Sequence, residues 1–279
     1  MALFSVNTGT TQYLDGVTGG TMTITDPGPD DGNSEILADL YFYDSGTNNY
    51  STASFTATGY TKWNCQYFSG TGGWGHMQLR KTHPTVQSDL AVTCPSGVTH
   101  AVLTMYVAYG GFISAGSTSF GNINTFGNGT SSLVITASTL NDYGSQYIFE
   151  KLSVGAVQSG NTGNNLSLSL GTPSWGTSVA LRTTTGTKYF TSINSTFMWG
   201  TGFVEADQSG NGGNGFNVDV TATFPASMSS SSALFTTHQE YTATSLTQAP
   251  ALSGIYIRAK RVKEWQVPYA IHTKMGAAR

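Results

Sequence analysis

The chain has 279 residues, of which only 10% are Asp, Glu, Lys or Arg, against about 25% in an ordinary soluble domain. Hydrophobic residues make up 38%, glycine fills 34 positions, and the formal net charge is −3. The 12% aromatic content argues against a disordered low-complexity chain, which has no rings to bury, and no apolar run approaches the roughly 20 residues of a membrane-spanning helix.

In chain order, residues 21–25 (TMTIT) alternate apolar and polar side chains, the period of a strand with one covered face. Residues 36–43 (ILADLYFY) read as a helix or a strand, and the Tyr-Phe-Tyr ending favours a strand. Turn-rich 45–49 (SGTNN) and 69–73 (SGTGG) punctuate the following segments, since Gly and Asn tolerate the positive φ of hairpin loops. Residues 101–109 (AVLTMYVAY) are nearly all apolar, as in a strand buried on both faces. Residues 117–131 are Gly-, Ser- and Asn-rich with single aromatics and read as a loop or linker. Residues 147–154 (YIFEKLSV) are the best helix candidate and read equally well as a strand. Alternation returns over 166–170 and 216–224, and 154–164 matches 204–214 at a spacing of 50 residues. One matched hairpin is too short to establish a repeat architecture. After Pro250, residues 255–260 alternate like a last strand and 261–279 form an arm.

These patterns predict an all-β fold: one or two antiparallel β-sandwich or jelly-roll modules with a C-terminal arm. The expected organisation is a module over 1–116, a linker over 117–131, a second module over 132–254, and a final strand with a basic arm over 255–279.

The charges are sorted along the chain. Residues 1–61 hold seven acids (Asp15, Asp26, Asp30, Asp31, Glu35, Asp39, Asp44) and no Lys or Arg. Residues 258–279 hold six bases (Arg258, Lys260, Arg261, Lys263, Lys274, Arg279) against Glu264. A weakly charged chain gains little solubility from self-repulsion. The expectation is therefore an assembly in which the six bases dock onto acids such as Asp26, Asp30, Asp31 and Glu35 of a neighbouring copy, or onto a groove of another subunit. The basic tail also suits weak phosphate contact, but complementary acids in the same chain favour a protein partner, so nucleic acid and membrane are not expected partners. The first residues, MALFS, lack a basic region followed by an apolar stretch, so synthesis in the cytoplasm is expected.

No constellation announces catalysis, a cofactor or a metal. Cys65, His76, His83, Cys94 and His100 fall close in sequence, but not in the near pairs that structural zinc takes. The acidic loop 26–35 offers oxygens to calcium without the spacing of a twelve-residue calcium loop. Glu205 and Asp207 share a strand face, whereas glycosidase carboxylates flank a cleft from different strands. No Gly-x-Ser-x-Gly elbow occurs. Cys65 and Cys94 either pair across neighbouring strands or remain two thiols. Trp74, among glycines in 72–76 (GGWGH), is the candidate platform for a sugar ring, giving an alternative reading as a carbohydrate- or host-receptor-binding module.

The order of segments from 36 to about 112 resembles the β-sandwich modules of tailed-bacteriophage virion proteins. It runs from 36–43 through the Thr- and Ser-rich 51–58, Tyr60-Thr61-Lys62-Trp63, Met77-Gln78-Leu79-Arg80 and 90–97 to the buried 101–109. The resemblance covers about 80 residues of strand pattern and composition. It implies a non-enzymatic structural subunit of the virion, for capsid decoration or association with the tail. Its partners would be major capsid or tail subunits and further copies of itself. It carries over no catalytic residue, and the basic arm has no counterpart in it.

Overall fold

Strands form over the alternating segments 21–25, 166–170 and 216–224, and every pairing among the described residues is antiparallel. The computed structural model describes residues 4–30, 32, 34–46, 48–68, 73–82, 84–110, 113–114, 120–123, 132–138, 147–171, 179–207, 217–224 and 234–243. Cα proximity groups Met1–Thr244 as one unit and Ser245–Arg279 as another. The second, with the final strand and basic arm expected there, lies outside the described residues.

Two large sheets form the inside. The first has the order β1 (Ser5–Thr8), β8 (His100–Tyr109), β4 (Glu35–Tyr43), β6 (Trp74–Thr82), β5 (Thr61–Phe68), and β2 (Gln12–Asp15) also pairs with β8. The second has the order β10 (Phe120–Ile123), β17 (Leu234–Ala243), β12 (Tyr147–Ser159), β15 (Ser195–Asp207), β14 (Val179–Phe190), with β9 (Ile113–Ser114) beside β17. Two smaller sheets lie outside them: β3 (Thr21–Ile24) with β7 (Leu90–Thr93), and β11 (Ser132–Ser138), β16 (Asn217–Thr223), β13 (Ser167–Leu170). The chain is thus all-β, built of antiparallel sandwiches.

Burial follows the layers. In outer strand β3, Met22 and Ile24 are buried while Thr21 and Thr23 are exposed, as an alternating strand with one wet face requires. Inner strand β4 is buried on both faces from Glu35 to Phe42. Ile36, Ala38, Leu40 and Phe42 pack with Met22, Ile24, Leu90 and Val92 of the outer pair. Leu37 and Tyr41 point the other way, into clusters shared with the second inner sheet. Strand β12 repeats the division. Leu152, Val154 and Ala156 meet Leu166, Val220 and Ala222, whereas Phe149 and Val157 face the first sheet. This double coverage decides the ambiguous segment 147–154 in favour of strand: it is hydrogen-bonded between β15 and β17.

The two inner sheets meet through rings. Trp74 stacks on Phe197 at 4.3 Å, Tyr106 meets Phe203 edge-on at 5.2 Å, and Phe4 meets Phe149 at 5.0 Å. Such pairs contribute about 0.5–1.5 kcal/mol each beyond their area burial. Gly155 permits the approach: a Cβ there would stand 2.9 Å from the Tyr41 ring and 3.0 Å from that of Phe197. Segments on both sides of 117–131 supply this layer. Of that expected linker, only 120–123 fall among the described residues, as β10.

Candidate functional site

Strand alternation places a row of polar side chains in the middle of the aromatic layer. Positions 35, 37, 39 and 41 of β4 face the second inner sheet, as do 74, 76, 78 and 80 of β6. Opposite them stand 149, 151 and 153 of β12 and 199, 201 and 203 of β15. Asp39 is the hub. Its Oδ1 accepts a hydrogen bond from Lys151 Nζ at 2.7 Å and lies 3.0 Å from Ser153 Oγ and 3.1 Å from His76 Nε2. Its Oδ2 is 2.9 Å from Ser153 Oγ and accepts from Thr201 Oγ1 at 3.3 Å. Asp39, Lys151, Ser153 and Thr201 are 0% exposed and His76 is 2% exposed. The Tyr41 ring stacks on His76 at 4.6 Å, and its hydroxyl donates to the Val154 carbonyl.

The electrostatics follow from this enclosure. Burial by itself would raise the Asp39 carboxyl, but the Lys151 cation and the His76 contact hold it far below the usual carboxylate range. Burial lowers the Lys151 ammonium while Asp39 opposes that shift. Burial also lowers His76, against the pull of Asp39, which favours a neutral ring at physiological pH. The cluster contains the residue types of a nucleophilic triad. None of the five side chains is more than 2% exposed.

A second buried acid lies at the end of the row. Glu35 is 1% exposed, with Oε1 accepting from Thr82 Oγ1 at 3.2 Å and facing Arg80 Nε at 3.5 Å. Its Oε2 has no hydrogen-bond partner among the described residues, and Arg80 also lies 3.7 Å over the Trp63 ring. Burial pushes the Glu35 carboxyl up to about 7, although Arg80 and Thr82 oppose the shift. The folded chain therefore holds this proton up to about pH 7, while an unfolded chain releases it near 4.5. More protons bound in the folded state means that stability falls as pH rises through that window. Glu35→Gln is expected to remove this part of the decline, which urea midpoints of the two proteins from pH 4 to 8 would reveal. A variant whose pH profile parallels that of the unsubstituted protein would contradict the assignment.

The acids expected to form a docking surface are largely inside. Asp26, Glu35, Asp39 and Asp44 are all at most 4% exposed. Asp26 shapes its own loop, accepting from the Gly28 and Ser88 amides at 2.8 and 3.0 Å. Asp44 accepts from the Gly46 amide, Asn48 and Tyr50 at 2.6–2.7 Å. Asp30 is half-buried, and Asp31 lies outside the described residues, as do Arg258, Lys260, Arg261, Lys263, Lys274 and Arg279. Three of the seven N-terminal acids meet bases from the middle of the chain: Glu35 meets Arg80, Asp39 meets Lys151, and Asp15 meets Lys188 at 3.1 Å.

Trp74 corrects the sugar-platform expectation. It is 1% exposed, with Phe197 stacked on it, so its face is not open to a sugar. Glu205 accepts a hydrogen bond from Arg182 at 3.0 Å. Cys65 and Cys94 are both free thiols, and burial pushes each up to about 12. No group of three or more His, Cys, Asp or Glu that could hold a metal occurs among the described residues. The polar seam itself was missed from sequence. The available signal was a lone Asp39 in ILADLYFY and a lone Lys151 beside Glu150 in YIFEKLSV: in an apolar strand, a charge that cannot reach water must find a partner.

No family model matches this chain, and neither a curated protein nor a solved structure matches it.

Proposed function

We propose that the chain is a non-enzymatic structural subunit of a tailed-bacteriophage particle, a capsid decoration protein bound to neighbouring shell subunits. The observation that carries this reading is the location of the reactive side chains. The carboxylate, imidazole, amine and hydroxyl groups that resemble catalytic machinery are sealed between two sheets, where they hold layers together. A layered β scaffold with few surface charges suits a protein that covers and is covered. The basic segment 258–279 is the docking element. Asp26 and Glu35 are not its target, being engaged internally, so it binds acidic surface on a shell subunit.

A chain ending at residue 257 is expected to keep its β circular dichroism and its melting transition, yet to be absent from purified particles. Normal occupancy by this truncation overturns the docking proposal. Light scattering after size exclusion at two salt concentrations reads the charge dependence directly, since charge-driven association weakens as salt screens it. A monomer that turns over a substrate overturns the structural reading altogether.

A further inference from the structure

We propose that Lys151 and Asp39 condense to an intramolecular isopeptide bond, which joins β12 to β4 across the seam between the inner sheets.

The geometry supplies each component of the reaction. The amine and the carboxyl group are already neighbours, with Lys151 Nζ 2.7 Å from Asp39 Oδ1, and proximity of this kind replaces a bimolecular encounter by a unimolecular step. The two carboxyl oxygens have different company. Oδ1 faces Lys151 and His76, which lies 3.1 Å away. Oδ2 faces the hydroxyls of Ser153 at 2.9 Å and Thr201 at 3.3 Å. Ser153 Oγ also lies 3.0 Å from Oδ1, but Thr201 addresses Oδ2 alone, so Oδ2 is the oxygen that takes up negative charge during attack, with Thr201 and the shorter Ser153 contact stabilising it. Oδ1 is the oxygen that leaves.

The step balances without an oxidant or co-reactant. The Lys151 ammonium passes one proton to Oδ1, leaving a neutral amine and a carboxylic acid. Burial penalises the charged form of both groups and so works towards this transfer, against the mutual attraction of the ion pair. The Nζ lone pair attacks Cγ, forming the N–C bond and placing charge on Oδ2. With Oδ1 protonated, the neutral His76 ring carries its own proton on Nδ1, so that Nε2 can take a proton from the nitrogen and return it to the Oδ1 hydroxyl, which departs as water when the Cγ–Oδ1 bond breaks. The products are one amide and one water, and His76 ends as it began. Because the cluster is 0–2% exposed, bulk water has little access to reverse the reaction. The bond closes a loop between residues 112 apart in sequence, so it would restrain the unfolded chain as a long-range disulfide does.

The test is the intact mass of the folded, purified protein beside that of Lys151→Arg. The arginine variant keeps a cation at the seam but has no amine to form this amide. It also controls for any processing at the termini. The unsubstituted protein is expected to be lighter than its sequence by one water, and the variant to have its full sequence mass. Trypsin should leave a branched peptide, residues 1–62 joined to residues 82–182, because the amide blocks cleavage after Lys151. His76→Gln should slow the loss of water, giving a mixture of the two masses that shifts with time. Full mass for the unsubstituted protein overturns the proposal, and so does a lost water that maps within a single unbranched peptide.

Discussion

Asp39→Ala is expected to be among the most damaging single substitutions in this chain, lowering stability by about 3–5 kcal/mol. It removes the carboxylate from a site with no solvent contact and leaves the Lys151 amine, the His76 ring and two hydroxyls facing a void. An uncompensated buried cation accounts for most of the loss. For a chain of this size the thermal midpoint should fall by roughly 10 °C. Adding Lys151→Met to Asp39→Ala should recover part of the deficit, because an apolar side chain leaves no charge stranded. Thermal or urea melts of the two variants measure this. A double variant less stable than Asp39→Ala alone would mean that Lys151 contributes mainly through packing.

Trp74→Ala is expected to cost a similar amount, about 3–5 kcal/mol. The indole is 1% exposed, stacks on Phe197, and lies 5.4 and 6.0 Å from the rings of Tyr43 and Phe190. Removing it opens a cavity where two sheets meet, and neither sheet can collapse into the space without disturbing the strand register on its other face. The result separates two roles for this residue. A sugar-binding platform would leave stability almost untouched and lose ligand, whereas a buried wedge between sheets loses stability. Melting temperature and glycan binding on the same preparation give both readings.

The sequence was most informative where one face of a strand meets water. Residues 21–25, 166–170 and 216–224 alternate, and they became β3, β13 and β16 of the outer sheets. It was least informative about the inner sheets, where both faces are covered and polar side chains appear at positions that alternation assigns to neither face with confidence. Asp39 reads as one more acid of an acidic segment until the strand opposite it is known, and Lys151 lies 112 residues away. No local pattern encodes a contact across two packed sheets. The same limit explains the docking acids. Composition placed Asp26 and Glu35 on a surface because carboxylates are seldom buried, but a loop amide and an arginine of this chain already engage them.

The separation of the seam's partners along the chain also bears on synthesis. Asp39 and His76 leave the ribosome well before Lys151, Ser153 and Thr201, the last of them 162 residues after Asp39. At translation speeds of about 5–20 residues per second, the earlier half waits for several seconds or longer with Tyr41, Trp74 and Tyr106 uncovered. During that interval the carboxylate and imidazole, with Gln78 and Thr104 beside them, keep water on a face that otherwise carries rings and the aliphatic Leu37, Val102 and Ala108. The side chains that fasten the finished molecule are thus also the polar part of the face that its earlier half presents until the later half arrives.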